Sequence, residues 1–236
     1  AGPVSVYGGN IDVTANLTST AATGTGILLS GQKIVHASGV TVSSQGSNID
    51  YVANGASAVA TTDYALQIGD FAGSKATINA NGGAVNLAGT YGAGGTAATV
   101  STNGDRAVFI HTAEILTSGS GTINIAGDAT NNPNTTATAW GLILYGSLVQ
   151  TVTGAISITG TGGKSTSNSR GLVVGDTSKI LSLSGHITLK DLAPTGLTGS
   201  YLGLYSNKSL TVGSDGTLVA SSHSPVTITA DKLTFE

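Results

Sequence analysis

Tyr64, Arg106, Trp140 and Arg170 are the residues of this chain whose types could hold a ligand. Trp140 is the only Trp, and Arg106 and Arg170 are the only arginines, in a sequence with 9% charged and 5% aromatic residues. Each stands directly before a small residue and a short apolar run: Ala65-Leu66-Gln67-Ile68, Ala107-Val108-Phe109-Ile110, Gly141-Leu142-Ile143-Leu144 and Gly171-Leu172-Val173-Val174. If those runs stack on one another, the four residues form one column of alternating ring and guanidinium. Ring faces pack on pyranose rings and a guanidinium offers a planar hydrogen-bond fork, so the column reads as a sugar-binding platform. The competing reading is a corner of the fold whose side chains only stack on themselves.

Two carboxylates, Asp63 and Asp105, sit immediately before Tyr64 and Arg106. A calcium ion takes six to eight oxygens, and such a pair with loop carbonyls supplies some of them. No D-x-D-x-D-G loop accompanies them, so solvated carboxylates serve equally well. Asp12 and Asp50 form a second pair in equivalent repeat positions. No residue is assigned a catalytic role. A β-helical polysaccharide lyase or glycosidase, the alternative function, needs clustered carboxylates, and Asp63, Asp105, Arg106 and Asp128 supply only a loose group. The reading is therefore not an enzyme, and it carries no cofactor.

The column depends on a repeat. An apolar–polar–apolar unit recurs as Ile11-Asp12-Val13, Ile49-Asp50-Tyr51, Val85-Asn86-Leu87, Ile123-Asn124-Ile125, Ile156-Ser157-Ile158, Ile187-Thr188-Leu189 and Val226-Thr227-Ile228, every 31 to 39 residues. With the small-residue runs, which begin at Gly26-Ile27-Leu28-Leu29, and a third short unit such as Ile34-Val35 or Ile115-Leu116, each repeat reads as three short strands. Long stretches fall only after the alternating unit, which puts the loops on one edge. The expectation is an all-β fold, a right-handed three-sided parallel β-helix of about six to seven coils, as one domain over residues 1–236. A β-sandwich fits the strand spacing but not the fixed order of strand types.

In that fold the aliphatics flanking each polar middle residue, and Ile27, Leu29, Leu66, Ile68, Val108, Ile110, Leu142, Leu144, Leu172 and Val174, make the core. The middle residues Asp12, Asp50, Asn86, Asn124, Ser157, Thr188 and Thr227 make an outward polar ladder. Leu28, Gln67, Phe109, Ile143, Val173 and Tyr205 make an outward, mostly apolar strip, either a contact surface or covered by the loops.

Composition narrows function further. Nine Lys and Arg in a chain of net charge −3 do not build a nucleic-acid surface. There is no cysteine, and no apolar run approaches the ~18 residues of a membrane span, so membrane insertion is not expected. The chain has no Met and starts at Ala1, which reads as a processed chain or a section of a longer protein.

The opening Gly2-Pro3-Val4-Ser5-Val6-Tyr7-Gly8-Gly9-Asn10-Ile11-Asp12-Val13, followed by repeated G-x-I-x-I units, resembles the repeat region of filamentous-haemagglutinin-type exoproteins, large secreted bacterial adhesins. The likeness is periodic and compositional and runs over the whole chain. The Asn132-Pro133-Asn134-Thr135 stretch departs from that family's secretion motif and reads as a turn. The resemblance implies a secreted or cell-surface protein that contacts surface glycan or a host or neighbouring-cell protein. Strand-like sequence at both ends implies end-to-end self-association.

Overall fold

The computed structural model describes residues 2–55, 64–71, 73–91, 105–132, 139–164, 169–175, 177–192, 211–213 and 226–229. Every regular element among them is a strand. The apolar runs are short, β-branched and bounded by Gly, Asn and Ser, a pattern that favours a pleated, half-buried conformation over a helix. One row contains β5 (Asn48–Ala53), β8 (Val85–Thr90), β11 (Ile123–Asp128), β14 (Ile156–Thr161), β17 (Ile187–Leu192) and β19 (Val226–Thr229). A second contains β6 (Tyr64–Ile68), β9 (Asp105–His111), β12 (Ala139–Tyr145) and β15 (Arg170–Gly175). The third contains β2 (Leu17–Ser19), β4 (Thr41–Ser44), β7 (Ala76–Asn79), β10 (Ala113–Leu116), β13 (Leu148–Thr151), β16 (Lys179–Ser182) and β18 (Thr211–Gly213). All pairings are parallel, and within each row a strand pairs with its equivalent in the next repeat, three strands further along the chain except for β2–β4, β16–β18 and β17–β19.

The expectation of a right-handed three-sided β-helix of six to seven coils is corrected by the hydrogen bonding, which makes two sheets and not three sides. The cause is β3 (Thr25–His36). Its first half pairs with β5, its end pairs with β6, and from Ile27 to His36 it pairs with β1 (Val4–Val13). The first two rows thereby fuse into one 12-stranded sheet, and the third row is a separate seven-stranded sheet. The larger sheet bends back until its two arms meet again along the strands β8 to β17, so that it nearly closes into a barrel.

The phase of the first repeats is corrected with it. Ile27-Leu28-Leu29 pairs with Ile49-Asp50-Tyr51, and Ile34-Val35-His36 pairs with Leu66-Gln67-Ile68. Asp12 stands beside Val35 and not in line with Asp50. Val42, not Ile34, is the partner of Ile78.

The core columns follow the expected side-chain alternation. Ile49, Val85, Leu87, Ile123, Ile125, Ile156, Ile158, Ile187 and Leu189 are buried from one arm, and Leu66, Ile68, Val108, Ile110, Leu142, Leu144, Leu172 and Val174 from the other. At ~0.8 kcal/mol per buried methylene these columns supply the main drive to fold. Where the arms converge, only small residues fit. A methyl on Gly127 would overlap the carbonyl of Gly141, and one on Gly160 that of Gly171. Asp191 takes the place next to Gly160 in the following strand, and its buried Oδ1 accepts the Leu172 N–H at 2.6 Å.

Besides small buried hydroxyls such as Ser44, Thr151 and Ser182, two larger side chains bring polar groups into the aliphatic core. His36 and Tyr51 are fully buried and face each other from opposite arms. The Val40 carbonyl, 2.9 Å from Nε2, can only accept, so Nε2 carries the proton and Nδ1 accepts from the Tyr51 hydroxyl at 3.2 Å. Burial lowers the His36 pKa below 6.5 by desolvation, the hydrogen bond to Val40 opposing, and burial raises that of the Tyr51 phenol.

A histidine held neutral in the fold makes stability depend on pH. Below about 6.5 the unfolded chain takes up a proton that the folded chain refuses. The His36 contribution is therefore complete above that pH and is lost as pH falls towards the folded-state pKa. Thermal melts of the native protein should fall in Tm from pH 7.5 to 5. His36→Leu should flatten that fall; an equally steep one in the variant would show that His36 does not set it.

Candidate functional site

The column expected from the sequence is present. Tyr64 pairs with Arg106, Arg106 with Trp140, and Trp140 with Arg170, in register across β6, β9, β12 and β15. Simple alternation would send these residues into the core, since they share parity with Leu66, Val108, Leu142 and Leu172. The paired positions skip the small residue between, Ala65, Ala107, Gly141 and Gly171. The preceding side chains stay half-buried, with Tyr64 and Trp140 packed against Phe109, Ile143 and Val173 and not in the aliphatic core.

The side chains engage one another closely. The Arg106 guanidinium carbon lies 5.3 Å from the centre of the Trp140 ring system, and that of Arg170 lies 5.5 Å from it. Arg106 also lies 4.8 Å from the Phe109 ring, which is stacked 6.5 Å from Tyr64. Lys33, on β3, completes the series with its Nζ 4.6 Å from the Tyr64 ring. Cation and ring therefore alternate over five neighbouring strands in the order Lys33, Tyr64, Arg106, Trp140, Arg170. The sequence reading missed Lys33 because it began the small-residue runs at Gly26-Ile27-Leu28-Leu29, which the structure pairs with β5. Correct phasing of β3, from its lack of a loop between the two halves, would have found it.

The outward apolar strip is covered on β9, β12 and β15. Phe109, Ile143 and Val173 are buried, and Tyr64, Trp140 and Tyr145 pack against them as a second small core beneath the column. Leu28 belongs to the other arm, and Tyr205 lies outside the described residues. Beside this core, Phe71 is 70% exposed, with its ring centre 4.1 Å from His111 and 5.5 Å from Phe109. His111 Nδ1 donates to the Asp70 carbonyl at 2.9 Å. Rings and cations of a chain poor in both are thus concentrated on one face.

Of the proposed metal residues, Asp63 lies outside the described residues. The Asp105 carboxylate accepts the Asn132 amide at 3.1 Å. Among the described residues no three His, Asp or Glu side chains gather at one point. Asp128 accepts the Thr130 N–H at 2.8 Å as a local turn.

A second feature lies on the outer face of the other arm. It is an open groove of about 430 Å³ over Leu28, Asp50, Asn86, Asn124 and Ser157, with Val52, Ala88, Ala126 and Thr159 alongside. Its polar groups are committed to each other. Asn86 Nδ2 donates to Asp50 Oδ1 at 2.7 Å, Asn124 Nδ2 donates to Asn86 Oδ1 at 2.9 Å, and Thr25 donates to Asp50 Oδ2 at 3.1 Å. Asp50 only accepts, so it fixes the direction of both amides above it. This ladder stiffens the sheet; the cation–ring column is the better candidate for contact.

Asn86→Ala removes both amide links at once. At ~0.5–1.5 kcal/mol each, the loss should be about 1–3 kcal/mol, lowering Tm by several degrees. Denaturant melts that match the native protein would show that the ladder carries no stability.

No family model, no curated protein and no solved structure matches this chain.

Proposed function

We propose that this protein is a binding segment of a secreted or cell-surface bacterial adhesin or surface fibre, and that it holds a surface glycan through the Lys33–Arg170 column. The observation that carries this reading is the alternation of cation and ring on five neighbouring strands. A fold needs no arginine at this edge, because the aliphatic columns below already supply the buried area. Placing the only Trp and both arginines of the chain in one half-buried row costs side-chain entropy and desolvation that a plain polar edge avoids. The row is straight because its strands are parallel and in register, which suits a linear partner. The flanking Phe71 extends the ring surface outward. The resemblance of the opening segment and its G-x-I-x-I repeats to haemagglutinin-type exoproteins supports the same reading.

Trp140 is the sole Trp, so emission excited selectively at tryptophan, beyond the absorption of the seven tyrosines, reports on the column alone. Titration with cell-surface glycan fractions should change that emission saturably. Trp140→Ala should weaken binding at least tenfold, followed by calorimetry, while circular dichroism stays native. Unaltered affinity in the variant together with a lowered Tm would assign the column to stability instead.

A further inference from the structure

Among the described residues, β1 pairs with β3 alone. Its other edge presents a row of N–H and C=O groups to which a further strand could bond. Natural edges are guarded by Lys, by Pro, by a bulge or by an inward charge. Val4–Val13 has neither Lys nor Pro, its register with β3 runs without a shift, and its single charge, Asp12, is exposed. The core columns also reach this edge unfinished. Val4 and Val6 lie over Ile27 and Leu29, and Ile11 and Val13 lie over Ile34 and His36. Val6 is 38% exposed where Leu29 beneath it is 1% exposed, and the adjoining Tyr7 is 71% exposed.

The residue order of β1 says which strand fits there. Paired antiparallel with a second copy of itself about the Gly8–Gly9 bond, Val4 falls opposite Val13, Ser5 opposite Asp12, Val6 opposite Ile11 and Tyr7 opposite Asn10. Such directly opposed residues share a face and pack on each other. A strand of unbroken alternation would set inward side chains against outward ones in this register. β1 instead follows β3 from one arm to the other, so its inward residues are Val4 and Val6 before Gly8-Gly9 and Ile11 and Val13 after it. Apolar therefore meets apolar on the core side, and the Ser5 hydroxyl can donate to the Asp12 carboxylate outside. The two Asp12 side chains lie at opposite ends of the pairing, so no like charges meet. A shift of two residues either way would set Gly8 against Ile11, or Val6 against Gly9, and would misalign the junctions of the arms.

We infer that two copies of this chain join through β1, by antiparallel strand addition about a two-fold axis at Gly8–Gly9. This contact is isologous and uses the edge up, so association through it stops at a dimer and does not run on into a filament. Each half of β1 meets the other half of its copy. The arm bearing the cation–ring column of one copy therefore abuts the amide-ladder arm of the other, and the dimer carries two separate columns. The inference stands on the edge alone and is independent of what the column binds.

Sedimentation of the full chain at rising concentration should show a monomer–dimer equilibrium. Ser5→Asp, at an exposed position, sets a carboxylate opposite Asp12 twice per dimer. It should weaken the dimer roughly tenfold or more with native circular dichroism and unchanged Tm. Adding Asp12→Ser exchanges the two side chains and should restore it. A mixture of the Ser5→Cys and Asp12→Cys proteins should form a disulfide-linked dimer under mild oxidation, while either alone stays reduced. A monomer at every concentration would overturn the inference and leave the edge to a strand of another protein. So would a dimer that ignores Ser5→Asp or forms no mixed disulfide, or filaments that survive Ser5→Asp, which would mean head-to-tail stacking.

Discussion

Parallel strands paired in register with a three-strand step are the constraint on which everything else here depends. Once Ile123 lies opposite Val85 on one side and Ile156 on the other, every position of a repeat has its equivalent one strand away, ~4.8 Å distant. Side-chain type is then multiplied along the stack. Aliphatics become continuous core columns, amides become the Asp50–Asn86–Asn124 ladder, and cations and rings become the Lys33–Arg170 column. A single unsuitable residue disturbs two neighbours, so polar groups in the interior find partners: His36 bonds Tyr51, and the buried Ser44, Thr151 and Ser182 hydroxyls donate to backbone carbonyls.

Close approach of the two arms is the second condition. Gly127 against Gly141 and Gly160 against Gly171 bring backbone to backbone without room for a side chain. Gly141 and Gly171 directly follow Trp140 and Arg170, and the paired positions skip them as they skip Ala107 after Arg106. Core and site thus share one device: a small residue, Gly or Ala, between the column and the aliphatic run. Where the pattern gives way, Asp191 satisfies the Leu172 N–H with its own carboxylate, so the edge stays hydrogen-bonded without a glycine.

Much of this was legible in the residues because repetition makes period visible. The columns Tyr64–Arg106–Trp140–Arg170 and Asp50–Asn86–Asn124–Ser157–Thr188 could be read directly, as could the burial of the aliphatics beside them. The phase of the first repeats could not. In later repeats a long stretch separates the alternating unit from the small-residue run, and that break marks the frame. In β1 and β3 the two run together without a break, so Ser30-Gly31-Gln32 reads as a turn when it is continuous strand. The same continuity fuses two rows into one sheet, and a local pattern carries no sign of that. The His36–Tyr51 contact arises only when the arms face one another, and Phe109, Ile143 and Val173 are covered by Tyr64, Trp140 and Tyr145 of their own arm. Sequence spacing within either arm is silent on the first and left the second open between contact and cover.

The in-register step can be tested directly, because the chain has no cysteine of its own. Asn124 and Ser157 are partners across β11 and β14, at a separation that a disulfide spans. The double variant Asn124→Cys with Ser157→Cys should close a disulfide nearly completely under mild oxidation. Asn124→Cys with Thr159→Cys, on the same face but two residues out of register, should stay reduced. Preferential closure of the second pair would contradict the register, and with it the columns from which the core, the amide ladder and the cation–ring site are built.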